Sequence, residues 1–124
     1  MTPFHPEDHI GQEIRKCVRC GACRAVCPTF AEEHREGAAA RGKVSLAEAQ
    51  LSGEVGTSRR FREEIEQCLL CMACVETCPN GVRTDDIVLT ARSLMAEGTR
   101  EPVLQNMVLR RLLPSGSLLS LIHI

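Results

Sequence analysis

The chain has 124 residues, a net charge of −1 from 15 basic and 16 acidic side chains, and no Trp or Tyr. This length suits one domain at most, and its core must rely on aliphatic side chains. The balanced charge and the scarcity of aromatic side chains argue against nucleic-acid binding. No apolar stretch approaches the roughly 18 residues of a membrane span, although peripheral association with a membrane through a partner stays open.

Helical spacing begins close to the N-terminus. Pro6 suits the first position of a helix, and Ile10 and Ile14 recur on one face of that helix. A second, short helix is predicted to run through Phe30. The glycine-containing stretch 37–42 then predicts a break in the helical pattern.

Residues 44–69 predict two further helices. Ser45 followed by Glu48 is typical of a capping box, which predicts that a helix begins at Ser45. Thr57 or Ser58 can cap the helix after it. The inward-facing residues are expected to be Val44, Ala47 and Leu51 in the first helix and Phe61, Ile65 and Leu69 in the second.

A clear amphipathic helix is predicted to begin at residues 84–86, where one Thr and two Asp residues form an acidic start. Acidic side chains are favourable there because the N-terminus of a helix carries a partial positive charge. The apolar face of this helix is expected to consist of Ile87, Ala91, Leu94 and Met95.

The C-terminal part of the chain predicts one last helix and a tail. The helix begins at Pro102 and ends at Pro114. Because no stretch alternates as a strand would, the pattern predicts an all-α domain over residues 1–114. Residues 115–124 have the sequence SGSLLSLIHI, and we interpret them as an irregular tail, truncated or artefactual.

All eight cysteines lie in two copies of the motif C-x2-C-x2-C-x3-C, each followed by Pro. This spacing is typical of proteins that hold two [4Fe–4S] clusters, in which three closely spaced cysteines bind one cluster and the fourth binds the other. We therefore expect two [4Fe–4S] clusters as cofactors, with all eight cysteines as metal ligands. The expected ligands are Cys17, Cys20, Cys23 and Cys78 for one cluster, and Cys68, Cys71, Cys74 and Cys27 for the other.

Two other uses of the cysteines are weaker. Disulfides suit a short secreted chain, but the N-terminus lacks the apolar region of a secretory signal. Structural zinc would leave a third and a fourth cysteine unused in each motif. Since eight reduced thiolates require a reducing compartment, we expect a cytoplasmic protein.

Charged side chains differ between the two motifs. Positive charge near a cluster favours its reduced form, so the pattern predicts a higher potential for the cluster held mainly by the first motif. The alternative is that these side chains are exposed and screened by salt. The side chains concerned are Arg15, Lys16, Arg19 and Arg24 around the first motif and Glu64, Glu66 and Glu76 around the second.

Arg41 and Lys43 form a separate basic pair between the motifs. They could dock a partner or neutralise cluster charge, but we expect them to be solvated at a helix start. No Gly-rich phosphate loop and no Ser/His/Asp array is detectable, so we expect no catalytic residues and no flavin site.

The stretches CVRCGACRAVCPTF, ARGKVSLAEA and CLLCMACVETCPNGVRTDDIVLTAR carry a resemblance to a known family. From about Cys17 to Pro114 the chain resembles the N-terminal domain of the iron–sulfur subunit of glycolate oxidase. It is also similar to the C subunit of anaerobic glycerol-3-phosphate dehydrogenase and to the C and D subunits of heterodisulfide reductase. The family usually has Pro-Arg-Gly-Arg where residues 40–43 of this chain are Ala-Arg-Gly-Lys.

The resemblance implies an α-helical ferredoxin-like domain built around two [4Fe–4S] clusters. Its implied function is electron transfer from an FAD-containing flavoprotein, a flavin-dependent 2-hydroxyacid (glycolate-type) dehydrogenase subunit, to a downstream acceptor. The closest alternatives are a heterodisulfide reductase-like or an anaerobic glycerol-3-phosphate dehydrogenase complex. A different class of function is a non-catalytic, cluster-stabilised redox-sensing or adaptor module, but no basic patch favours a DNA-binding sensor.

Overall fold

The computed structural model of the chain describes residues 6–97 and Met107. Within these residues the fold is helical and contains no strand, which confirms the all-α prediction. The helices are α1 (Pro6–Arg15), α2 (Pro28–Glu33), α3 (Ala40–Leu51), α4 (Arg59–Glu66), α5 (Ala73–Glu76) and α6 (Thr84–Glu97), with 3-10 turns at Ala22–Arg24 and Glu36–Ala38.

Much of the C-terminal prediction lies outside the described residues. This applies to the predicted start of the last helix at Pro102, to its predicted end at Pro114 and to the tail 115–124. Met107 lies in helical backbone and its side chain is 51 % exposed. In the described part of the chain, every helix is too short or too polar to cross a membrane.

Helices α1, α3, α4 and α6 enclose one hydrophobic core. Helix α3 packs against α6, and α1 packs against both of them. The predicted apolar faces of these four helices meet there, and Phe61 is the one aromatic side chain in the buried cluster. The buried core residues are Ile10, Ile14, Val44, Ala47, Phe61, Ile65, Val82, Ile87, Val88, Ala91 and Met95.

Helix α4 is fixed at both ends by side chains. Ser58 caps its N-terminus, as predicted, by accepting a hydrogen bond of 3.2 Å from the backbone N–H of Phe61. At the other end, Arg92 of α6 donates to the backbone carbonyl oxygens of Ile65 and Glu66 in the last turn of the helix. The prediction that Leu69 faces inward is wrong, because α4 ends at Glu66 and Leu69 is 67 % exposed.

Helix α3 begins earlier than the capping box predicted. Its N-cap is Ala39, which makes no side-chain capping bond, and Ser45 lies inside the helix. Gly42 is not a break but a contact point, because a Cβ built on it would lie 1.8 Å from the carbonyl oxygen of Glu36. The absence of a side chain at Gly42 therefore lets the 3-10 turn Glu36–Ala38 pack directly on the first turn of α3.

Candidate iron–sulfur centre

The cysteines line two small cavities that lie side by side. The first cavity is lined by Cys17, Cys20, Cys23 and Cys78. The second cavity is lined by Cys27, Cys68 and Cys71. The wall between the cavities is shared, because Cys74, Ala40 and Thr84 line both of them. All eight cysteines are free thiols.

The two cysteine motifs share one backbone conformation. Arg19 and Leu70 precede the second cysteine of each motif and have left-handed φ values of 56° and 54°. Gly21 and Met72 follow that cysteine, with φ values of 87° and 62°. Although Met72 stands where the first motif has Gly21, the backbone of the second motif repeats that of the first, at the cost of a strained non-glycine residue.

Cys27 lies in a polar corner of the second cavity. Its Sγ is 3.1 Å from Thr29 Oγ1 and 3.6 Å from the carbonyl oxygen of Ala38. Burial alone would raise the pKa of Cys27, but hydrogen bonds from the Thr29 hydroxyl and the backbone N–H groups of α2, with the charge of Lys43, lower it. Cys27 therefore reaches the thiolate, which is the form that binds metal, more readily than an ordinary cysteine does.

Lys43 reaches the same corner from the first turn of α3. Its side chain is buried, with a relative exposure of 1 %, and it lines the second cavity. Its Nζ donates to the carbonyl oxygen of Gly37 at 3.2 Å and to that of Ala38. Burial lowers the pKa of Lys43, against the opposing charges of Cys68 and Cys27. The prediction that Lys43 is solvated is wrong, because α3 begins three positions before it and carries it inward.

The first cavity has a different electrostatic environment. Burial raises the pKa of Cys23, although a hydrogen bond from the backbone N–H of Arg41 opposes this. Cys78 Sγ accepts a hydrogen bond of 3.4 Å from the backbone N–H of Val82. The guanidinium of Arg41 lines this cavity and pairs with Glu36 at 2.7 Å. Helix α3 therefore sends one cation, Arg41, to the first cavity and another to the second.

The wall between the cavities combines a thiol with two helix N-termini. Helices α3 and α6 begin at Ala40 and Thr84, and the N-terminus of a helix carries a partial positive charge that stabilises anionic groups. Burial raises the pKa of Cys74, and a hydrogen bond with the Thr84 side chain opposes that effect. This arrangement suits anionic, sulfur-rich groups on both sides of the wall.

The charged side chains that the sequence singled out are mostly paired. Around the first motif, the partners are Lys16–Glu13 at 2.5 Å, Arg19–Glu48 at 2.9 Å and Arg24–Glu36 at 3.3 Å. Glu64, near the second motif, pairs with Arg35, whereas Arg15, Glu66 and Glu76 are exposed. These pairs prevent the two motifs from forming a basic and an acidic surface.

The donor set fits two clusters. In the described residues, no three His, Cys, Asp or Glu side chains converge closely enough to hold a single metal ion. The thiols instead surround two cavities, and eight thiolates are the number that two [4Fe–4S] clusters require. Sequence reasoning missed Thr29 and Thr84 as cysteine neighbours. Thr29 directly follows the Cys-Pro pair of the first motif, which was a usable signal.

Comparison with known proteins places these features in a family. The 4Fe-4S dicluster domain family matches residues 13–82, which include both motifs. The glycolate oxidase iron–sulfur subunit of Escherichia coli (strain K12) is 32 % identical over 104 residues, which cover 82 % of this chain and 25 % of that protein. Lactate utilization protein B of Macrococcus caseolyticus is 30 % identical over 102 residues, which cover 80 % of this chain and 21 % of that protein.

A third relative is a subunit of a heterodisulfide reductase. The iron–sulfur C subunit of the CoB–CoM heterodisulfide reductase of Methanopyrus kandleri is 30 % identical over 97 residues, which cover 78 % of this chain and 46 % of that protein. The chain thus spans less than half the length of each of these relatives. No solved structure matches the chain. Because the family match covers more than half of the chain and both cysteine motifs, the chain belongs to the 4Fe-4S dicluster domain family and its cofactors are two [4Fe–4S] clusters.

Proposed function

We propose that this chain is the electron-relay domain of an iron–sulfur subunit that serves a flavin-dependent 2-hydroxyacid dehydrogenase. The observation that carries the proposal is the pair of cysteine-lined cavities with a shared wall. Two of the relatives are named for glycolate and for lactate, and both compounds are 2-hydroxyacids. A reduced flavin holds two electrons, and two clusters, each taking one electron, suit their onward passage to an acceptor.

We assign the ligands across the two motifs. Cys17, Cys20, Cys23 and Cys78 would hold one cluster, and Cys68, Cys71, Cys74 and Cys27 the other. The lining of the two cavities supports this crossed assignment. Cys74 lines both cavities, and its place in the closely spaced run of the second motif favours the second one. The remaining protein groups orient the thiols and supply hydrogen bonds to them.

Electrons would enter and leave where the ligands reach solvent. Cys20 and Cys71 are exposed, whereas the other six cysteines are partly buried. The exposed apolar side chains of Val18 and Leu69 lie in the same two loops, each of them 67 % exposed. Such side chains beside an exposed ligand suit contact with partner proteins. We further propose a cytoplasmic location, since free thiols persist in a reducing compartment.

A heterodisulfide reductase-like complex is the second candidate. The observation that favours it is the larger share of that relative which the chain matches, 46 % against 25 % for the glycolate oxidase subunit. An anaerobic glycerol-3-phosphate dehydrogenase complex would use the same relay with another flavoprotein. In either case the role of this chain's cysteines is unchanged, and only the donor and the acceptor differ.

The first test is anaerobic reconstitution of the chain with iron and sulfide. We expect about eight irons and eight sulfides per chain, and EPR signals from two reduced clusters after dithionite is added. Bound zinc without a reducible signal would overturn the proposal and leave a structural adaptor. An intact cluster pair that controls DNA or partner binding instead of passing electrons would favour the sensor class.

The second test identifies the donor. The tagged chain is isolated anaerobically from its own cells together with its flavoprotein partner, and cluster absorbance is followed after glycolate, lactate or glycerol 3-phosphate is added. Bleaching by a 2-hydroxyacid supports the proposal. Bleaching by glycerol 3-phosphate alone would replace the 2-hydroxyacid donor with the glycerol-3-phosphate complex.

A further inference from the structure

Lys43 is the most deeply buried charged side chain in the described part of the protein, with an exposure of 1 %. Burying an ammonium group is costly unless it is hydrogen-bonded or balanced by negative charge. Its Nζ donates to the carbonyl oxygens of Gly37 and Ala38. Among the described residues, none of the ion pairs includes Lys43, so its hydrogen bonds are made but its charge has no close carboxylate.

Two of the three negative groups that act on Lys43 are cysteine sulfurs. The negative charges that act on it are, in order of strength, those of Cys68, Cys27 and Glu64, while Arg92 opposes them. Glu64 is itself paired with Arg35. Asp85 also lines the second cavity, but it pairs with Arg83 at 2.7 Å. Among the described residues no carboxylate forms an ion pair with Lys43, so its charge acts mainly on the second cavity and is compensated only in part by Glu64.

The cationic side chains that line the first cavity are paired with carboxylates. Lys16, Arg19 and Arg41 line that cavity, and each of them forms an ion pair with a carboxylate. Lys16 and Arg19 are also largely exposed, with side-chain exposures of 46 % and 66 %, so that solvent and salt screen their charges. The net positive field on the first cavity is therefore the weaker one.

We propose that Lys43 is the internal counter-charge of the cluster held by Cys27, Cys68, Cys71 and Cys74, and that it makes this cluster the higher-potential one of the two. The proposal rests on the proposed function. Reduction adds one electron to the cluster, and this electron comes from a donor flavin or from dithionite. The step breaks no bond and moves no proton. A fixed positive charge in a poorly solvated cavity stabilises that added electron. The resulting order of potentials is the reverse of the one that the charge pattern of the sequence predicts.

The test is a potentiometric EPR titration of reconstituted wild type and Lys43→Gln. Glutamine removes the charge and keeps an N–H donor on the side chain. We expect the equilibrium constant for reduction of the cluster at the second cavity to fall at least tenfold. For a one-electron couple this lowers the midpoint potential by about 59 mV. The other midpoint should move by less than half as much. A Cys71→Ser variant, which alters the signal of the cluster it ligates, identifies which midpoint has moved.

The control for charge removal is Arg59→Met. Arg59 is 93 % exposed and lies outside both cavity linings, so this variant should leave both midpoints unchanged. Unchanged midpoints in Lys43→Gln, or equal shifts of both, would overturn the inference. If Lys43→Gln loses one cluster, the Lys43→Arg variant decides whether the charge or the shape of the side chain is needed. Retention of both clusters in Lys43→Arg supports a need for charge, whereas loss there as well shows that side-chain shape matters instead.

Failure of the proposed function can be distinguished from failure of the inference about Lys43. If the wild-type chain itself yields no reducible clusters, the proposed function fails. If the wild type shows two reducible clusters and the Lys43→Gln midpoints do not differ from it, only the role of Lys43 fails.

Discussion

Asn80 Nδ2 donates a hydrogen bond of 2.8 Å to the backbone carbonyl oxygen of Lys16, although the two residues are 64 positions apart. Lys16 directly precedes the first cysteine motif, and Asn80 follows Cys78, the last cysteine of the second. The bond therefore holds the end of one motif against the start of the other, which is where the crossed ligand assignment needs Cys78 to be.

The first prediction tests this bond. Asn80→Ala should lower the free energy of unfolding by about 1 kcal/mol, since one hydrogen bond is lost. It should also speed the loss of the cluster to which we assign Cys78 when a chelator is added, measured by absorbance and EPR. Thr77→Ala truncates another exposed side chain beside Cys78 and serves as the control. Equal rates of cluster loss in the two variants would contradict the anchoring role.

The second prediction concerns Gly42. Gly42→Ala should destabilise the protein by about 1–3 kcal/mol, because the new methyl group overlaps the carbonyl oxygen of Glu36. The matched control is Gly56→Ala, since a Cβ at Gly56 meets nothing within 4 Å. Denaturant unfolding of both holo variants measures the difference. If the two alanines were tolerated equally, the close packing of the 3-10 turn on α3 would be disproved.

The third prediction concerns the C-terminal end of α4. Arg92 Nη2 lies 3.2 Å, 3.0 Å and 2.6 Å from the carbonyl oxygens of Ile65, Glu66 and Cys68. Arg92→Met should cost about 2 kcal/mol of stability, because charge-assisted hydrogen bonds to partly buried carbonyls are lost. Thermal unfolding followed by circular dichroism measures this.

The control for this prediction is again Arg59→Met. Arg59 pairs with Glu63 on the surface, so its loss should change stability by less than about 1 kcal/mol. A loss in Arg92→Met no larger than that of the control would show that the capping bonds contribute little.

The fourth prediction concerns cluster removal. Cys17, Cys68 and Cys78 pack against the hydrophobic core, so each cluster would connect its ligands to several helices. Removing iron with a chelator under anaerobic conditions should therefore lower the melting temperature and reduce the helical circular dichroism signal. Reconstitution with iron and sulfide should restore both. A chain that keeps its full helicity and melting temperature without iron would show that the clusters are not needed for the fold.

The sequence predicts the cofactors better than it predicts some helix boundaries. Cysteine spacing indicated the cofactors, and local signals such as Ser58 and the apolar faces around Ile14 and Ile87 were sufficient to identify four core helices. The start of α3 was predicted wrongly because Ser45 and Glu48 have the spacing of a capping box. The contact that determines where the helix starts joins Gly42 to Glu36, which lies in the preceding 3-10 turn.

The burial of Lys43 could not be predicted for a related reason. Its surroundings consist of backbone carbonyls at Gly37 and Ala38 and of thiols from both motifs, which come together only when the chain is folded. Local charge patterns describe which residues are near in sequence, whereas the field on a cluster depends on which of them are paired, screened or enclosed.

The repeated left-handed residues, Arg19 with Leu70 and Gly21 with Met72, make the two cysteine loops one structural unit used twice. Two loops with the same backbone would give identical redox centres if loop conformation alone determined their properties. Any functional difference between the centres must therefore come from the side chains on the loops and from the scaffold around them. An engineer who wished to change the direction of electron flow would thus keep the backbone of the cysteine loops and alter the groups around them, beginning with the first turn of α3.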